Sequence, residues 1–145
     1  MKVKLLSGAE WMNVKEKIIT FAVRFGDSRL TPAGIAVLRE LSPSLLINDK
    51  SESAVAVALE DGKLAGFAAA VEAGERACLI VVHPQRRGQG LATSLLLALQ
   101  IRCSRLTCSV AADNPASMQA CFRAHMKAVS MHSGPTGKPT LRFES

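Results

Sequence analysis

The sequence predicts an α/β fold, a mixed and mostly antiparallel sheet flanked by helices. Three observations predict it. Apolar residues switch repeatedly between a period of two and a period near 3.6 along the chain. Residues 54–82 read as three strands joined by tight turns. A loop with two glycines and two arginines then leads from an apolar strand into a helix. At 145 residues the chain predicts one domain, spanning 1–145.

The elements follow in order. Lys2, Val3, Lys4 and Leu5 alternate as a short strand. Ser7 and Glu10 have the spacing of a capping box. Behind them Trp11, Val14, Ile18, Phe21, Ala22 and Phe25 fall on one helical face. Thr31-Pro32 starts a second helix, and Ser42-Pro43 stops it. After a loop over 42–53, Ala54 to Leu59 and Leu64 to Glu72 read as strands around the turn Asp61-Gly62. Ala77 to Val82 is almost wholly apolar, which predicts a central strand buried on both faces.

Leu91, Leu95, Ala98, Leu99 and Arg102 continue as a helix, and Leu106 to Val110 as a strand. Asn114-Pro115 caps a last helix, with Met118, Cys121, Phe122 and His125 assigned to one face. Ala128 to Met131 and Thr140 to Phe143 close the chain as two strands around a glycine- and proline-bearing loop.

Composition narrows the function. The hydrophobic share is 48%, yet no apolar run is long enough to span a bilayer. The N-terminus lacks the apolar stretch of a signal peptide, so the expectation is a soluble, cytoplasmic protein without a membrane partner. Cys78, Cys103, Cys108 and Cys121 form no C-x-x-C pair, and no metal site is expected. Charge is uneven. Residues 76–143 hold nine Lys or Arg and one acid, Asp113, so an anionic partner is expected. Nucleic acid is disfavoured, because Phe122 and Phe143 are the only aromatics there and single strands need stacking platforms.

The loop between Val82 and Leu91 carries the chemistry. The first amides of a helix lack internal partners, and with the helix dipole they attract anions. Gly88 and Gly90 let a phosphate approach the backbone, with Arg86 and Arg87 beside it. This is no P-loop, since Gly-Lys-Ser/Thr is missing. Nor is it a dinucleotide fingerprint, because Thr93 stands where the third glycine belongs.

Arg87-Gly88-Gln89-Gly90-Leu91-Ala92 resembles the acyl-coenzyme A motif of the GCN5-related N-acetyltransferase (GNAT) family, Gln/Arg-x-x-Gly-x-Gly/Ala. Val82-His83-Pro84 is similar to that family's strand end, and Asn114-Pro115-Ala116-Ser117 to the start of its second conserved helix. The order of elements agrees over nearly the whole chain.

The resemblance implies a GNAT-like acyl-CoA-binding fold with splayed central strands. It implies an acetyl-CoA-dependent N-acetyltransferase that moves an acetyl group to a primary amine by direct attack in a ternary complex. A non-catalytic acyl-CoA-binding regulatory module is the alternative. The amides of Arg87, Gly88, Gln89, Gly90, Leu91, Ala92 and Thr93 would hold the pyrophosphate of coenzyme A. Ile80, Val81 and Val82 would pair with the pantetheine arm, and the Val82 amide would polarise the thioester. Asn114 would contact the pantetheine or only cap its helix. Arg86, Arg123 and Lys127 are further phosphate candidates.

Where the family often has an acidic tyrosine, seven residues after that asparagine, this chain has Cys121 and no tyrosine anywhere. The family's Gly-Phe pair at the end of that helix is replaced by His125-Met126. Candidate bases are Glu72, placed on the third strand and the first choice, then Glu75 and His83. Among acids of the N-terminal half, Glu10, Asp27, Glu40 and Asp49 weakly favour a cationic acceptor amine, either a small molecule or a protein amine. A homodimer is left open.

Overall fold

A computed structural model describes residues 1–27, 29–46, 52–135 and 137–145. Asp49, Thr136 and part of the loop 42–53 lie outside the described residues.

Strand β1 (Lys2–Leu5) runs into α1 (Gly8–Phe25) through the predicted capping box. Ser7 Oγ accepts from the Glu10 amide at 3.1 Å, and Glu10 accepts from the Ser7 amide at 2.9 Å. Helix α2 (Pro32–Glu40) starts at Thr31, whose hydroxyl accepts from the Gly34 amide at 3.0 Å. The Trp11 indole donates to the Leu41 carbonyl at 3.0 Å, tying α1 to the end of α2.

Strands β2 (Ala54–Glu60), β3 (Lys63–Val71) and β4 (Ala77–Val82) form the meander. Asp61 and Gly62 both have positive φ, as a tight hairpin turn requires. Then come α3 (Leu91–Arg102), β5 (Thr107–Ala111), α4 (Pro115–Arg123), β6 (Lys127–Ser133) and β7 (Pro139–Glu144). The strands make two sheets, ordered β1-β2-β3-β4 and β5-β7-β6, with antiparallel ladders throughout the described residues.

The two faces of the first sheet differ in sequence, and this assigns the helices. Val55, Val57, Phe67, Ala69, Val71, Leu79 and Val81 pack against α1 and α2. Ala54, Ala56, Ala58, Ala68 and Ala70 face the other way, against Leu91, Leu95, Leu96 and Leu99 of α3. Small side chains on the strands let the α3 leucines come close to the sheet. Each leucine fully withdrawn from water contributes about 2 kcal/mol.

Two expectations are corrected. Strand β4 is not central in its sheet but ends it. Leu79 and Val81 are buried, while Cys78, Ile80 and Val82 are only half-buried. No ladder joins β4 to β5, and Ile80 and Val82 line the cleft left where the sheets part. On α4, the inward residues are Ala120 and Cys121, followed by the buried cap Ala124, whereas Phe122 is 56% exposed and touches Phe143 edge-on. His125 is not on the helix at all. It stands past the end with φ of 66°, the Met126 amide bonds the Cys121 carbonyl, and the His125 amide bonds the Phe122 carbonyl. This is a Schellman ending with histidine in the left-handed position usually given to glycine. Met126 is buried beyond it.

Candidate functional site

The cleft between β4 and the start of α4 has a volume of about 390 Å³. Its floor is the β4 edge, one end is the N-terminus of α3, and α4 with Asn114 forms the far wall.

The direction of the β4 backbone follows from one hydrogen bond. The His83 amide donates to the Ala65 carbonyl at 2.8 Å. Backbone groups alternate along an antiparallel strand, so Val81 and Leu79 also turn theirs to β3. Ile80 and Val82 therefore turn their amides and carbonyls away from β3, into the cleft. Val81, expected among the pantetheine contacts, supplies side-chain and wall atoms but has its backbone committed to β3.

At the helix end, Gly88 and Gly90 both have φ of 78°, a conformation that side chains strain. A β-carbon at either position would touch nothing within 4 Å, so the space above them is open. Gly90 is the cap residue of α3 and has no side chain to satisfy the first amides. The first backbone donor returning to the cap is Ser94, which bonds the Gly90 carbonyl at 3.1 Å. The amides of Leu91, Ala92 and Thr93 thus point into the cleft with the helix dipole behind them. A phosphorylated group fits this cradle.

The two arginines expected beside the phosphate are each engaged by a carboxylate. Arg86 makes a two-pronged pair with Glu60, through Nε and through Nη2 at 3.0 Å, which holds the Glu60 carboxyl below its usual range. Arg87 binds Asp27 Oδ2 at 2.5 Å, the Phe25 carbonyl at 3.1 Å and the Val82 carbonyl at 3.1 Å. It straps the end of α1 to the end of β4.

A second bridge starts from a residue that lines the cleft, Arg29. Arg29, between α1 and α2, binds Asp113 at 2.7 Å, and Lys138 binds the same carboxylate at 2.9 Å. These hydrogen bonds, that of Lys138 first, hold the Asp113 carboxyl down at about 2. Sequence reading did not single out Phe25, Gly26 or Arg29 as lining residues. The one signal was Asp113, the lone acid of a basic segment.

The proposed acids and bases fall elsewhere. Glu72 is exposed and lies in the turn after β3, not on the strand. Val71 pairs with Ala77 while Val82 pairs with Gly66, so Glu72 sits at the opposite end of β4 from Val82. That is roughly 17 Å at the usual rise per strand residue. Glu75 is engaged by Arg142 at 2.5 and 3.2 Å, which lowers its pKa. His83 packs 4.5 Å from the Phe25 ring, and its Nδ1 accepts from the Gln85 amide at 3.1 Å. Cys121 is fully buried and does not line the cleft. Its neighbour Cys108, and then burial, push its thiol far above the usual range. Asn114 does line the cleft, and its side chain also caps α4 by accepting from the Ser117 amide at 3.4 Å. Among the described residues no three His, Cys, Asp or Glu side chains assemble into a metal site, and no helix is long and apolar enough to cross a membrane.

Comparison with known proteins supports the same reading of the fold. No curated protein matches the chain in sequence. Among solved structures, the chain is similar to the aminoglycoside acetyltransferase AAC(6')-Ib in complex with coenzyme A and kanamycin, at 15% identity and a TM-score of 0.60, covering 99% of this chain and 93% of that one. It is similar to a chimera of the spermidine N-acetyltransferase SpeG from Vibrio cholerae and hSSAT, at 14% identity and TM-score 0.66, over 99% and 94%. It is also similar to the ribosomal-protein-alanine N-acetyltransferase from Brucella melitensis, at 14% identity and TM-score 0.65, over 100% and 99%. At these identities the likeness shows the fold. The sequence profile of the acetyltransferase (GNAT) domain, however, matches residues 31–120, more than half of the chain, from the start of α2 into α4. That match makes this chain a member of the GNAT family of N-acetyltransferases.

Proposed function

We propose that the whole chain acts as one acetyltransferase domain that moves the acetyl group of acetyl-CoA to a primary amine by direct attack in a ternary complex. One observation carries the reading. The outward amide of Val82 and the open N-terminus of α3 line the same cleft, so one extended ligand can meet both.

Bound acetyl-CoA supplies an activated acyl group. The amides of Gly88, Gln89, Gly90, Leu91, Ala92 and Thr93 receive the pyrophosphate, and Arg87 contributes its amide while its side chain holds the loop. Ile80 and Val82 offer backbone groups to the pantetheine arm as an added strand would. The Val82 N–H donates to the thioester oxygen, where negative charge grows during attack. Asn114 borders the same arm. Glu72, Glu75 and Cys121 take no part, and the proton of the attacking amine passes to water. The departing thiolate needs no acid, since thiols titrate near 8.5.

The test is thiol release from acetyl-CoA across a panel of primary amines. Amine-dependent release with acetylated product is expected. Acetyl-CoA binding without amine-dependent release would instead favour a non-catalytic acyl-CoA-binding module.

A further inference from the structure

We propose that Asp27 selects cationic acceptors by holding an ammonium group of the acceptor other than the one that attacks. The inference rests on the amine-acetylation reading above.

Charge alone left four acids of the N-terminal half as equals. The structure separates them. Glu10 pairs with Lys4 and closes the capping box. Glu40 lies 3.6 Å from Arg76. Asp49 is outside the described residues. Asp27 lines the cleft, and among the described residues it is the only acid that does.

Its position is fixed from both sides. A β-carbon on the preceding Gly26 would meet the Ala22 carbonyl at 2.6 Å, so the chain turns tightly off α1. Asp27 itself has φ of 51°, where glycine would sit with less strain, yet a carboxylate stands there. Oδ2 binds Arg87, and the same guanidinium binds the Val82 carbonyl. One guanidinium therefore separates the carboxylate from the residue whose amide faces the acyl group. Oδ1 has no partner among the described residues.

That spacing suits a second nitrogen better than the nucleophile. The attacking amine must be neutral, and a nitrogen held as ammonium against a carboxylate has no lone pair to offer. A second ammonium, a few bonds along a diamine or polyamine, meets no such conflict. The remaining cleft charges are Arg29, Arg86, Arg87 and Arg123, so Asp27 is the one described side chain there that attracts a cation.

The test is calorimetry on protein saturated with coenzyme A and titrated with 1,4-diaminobutane. Asp27→Asn keeps an oxygen for Arg87 but removes the charge. Diaminobutane is expected to bind the wild type and to bind Asp27→Asn at least tenfold more weakly, with coenzyme A affinity unchanged within twofold. Asp27→Glu, which restores charge, is expected to recover most of the binding. Equal diaminobutane affinity in wild type and Asp27→Asn overturns the proposal. So does an equal loss of coenzyme A affinity, which marks a purely structural strap, or no diaminobutane binding to the loaded wild type. Failure of coenzyme A itself to bind the wild type would strike the acetyl-CoA reading, and this inference with it.

Discussion

Arg87 donates from Nε to the carbonyl of Val82 at 3.1 Å, across the loop that separates them in sequence. Its other nitrogens reach Phe25 at the end of α1 and Asp27 in the turn beyond it. The arginine of the glycine loop is thus a fastening between the end of β4 and the end of the first helix. In the proposed binding mode, only its backbone is left to meet a phosphate.

This bears on salt dependence. Arg29, Arg86 and Arg87 each hold a carboxylate, while Arg123 has no ion-pair partner among the described residues that line the cleft. Acetyl-CoA affinity should fall as salt rises, and Arg123→Gln should flatten that dependence more than Arg86→Gln does. Calorimetry at low and high ionic strength checks this. Equal slopes in the two variants would remove Arg123 from the phosphate path.

Cys121 packs in the core, so its loss should be felt in stability. Cys121→Ala should cost about 1 kcal/mol in urea unfolding. It should keep more than about a tenth of wild-type kcat, since a role in proton transfer is typically worth at least a hundredfold. A hundredfold loss in a folded variant would return the acid role to this thiol.

His125 holds a left-handed conformation at the end of α4. Glycine there carries no β-carbon penalty, so His125→Gly should stabilise the protein by up to about 1 kcal/mol. A lower urea midpoint would mean that the imidazole makes a contact worth more than the strain.

Glu10 gives a pH signature. Its pKa is lowered from 4.5 to about 2, chiefly by the Lys4 hydrogen bond and then by the Ser7 amide. A depressed folded pKa stabilises above the unfolded value and loses that effect as pH falls toward the folded one. The melting-temperature gap between wild type and Glu10→Gln should therefore be constant above about pH 5 and shrink between 4.5 and about 2. The carboxylate is 41% exposed, so the gap should be small. A gap that grows on acidification would contradict the assignment.

Local signals carried most of the fold. Ser7 with Glu10, Thr31-Pro32, Asp61-Gly62 and Asn114-Pro115 each act within four residues, and each cap or turn forms as its chemistry dictates. The glycine loop leading into α3 was legible for the same reason, because Gly88, Gly90 and the α3 N-terminus are contiguous. What failed was long-range. Ala77 to Val82 looks central because it is apolar, yet the split between sheets depends on β5 and β7, which begin 25 and 57 residues after Val82 and lie outside any local window. The strap from Arg87 to Asp27 and the bridge from Arg29 to Asp113 join elements 60 and 84 residues apart. Glu72 was misplaced by one residue, and at the end of a strand that moves a side chain from ladder to turn.

The central claim is that the α3 N-terminus holds the phosphates of acetyl-CoA, and Gly90→Glu addresses it most directly. The open space above Gly90 admits the new side chain without a clash, but its carboxylate would stand in the phosphate path. Calorimetry with acetyl-CoA, on variant whose circular dichroism matches wild type, should show at least a tenfold loss of affinity, about 1.4 kcal/mol. Unchanged affinity in that folded variant would contradict the account.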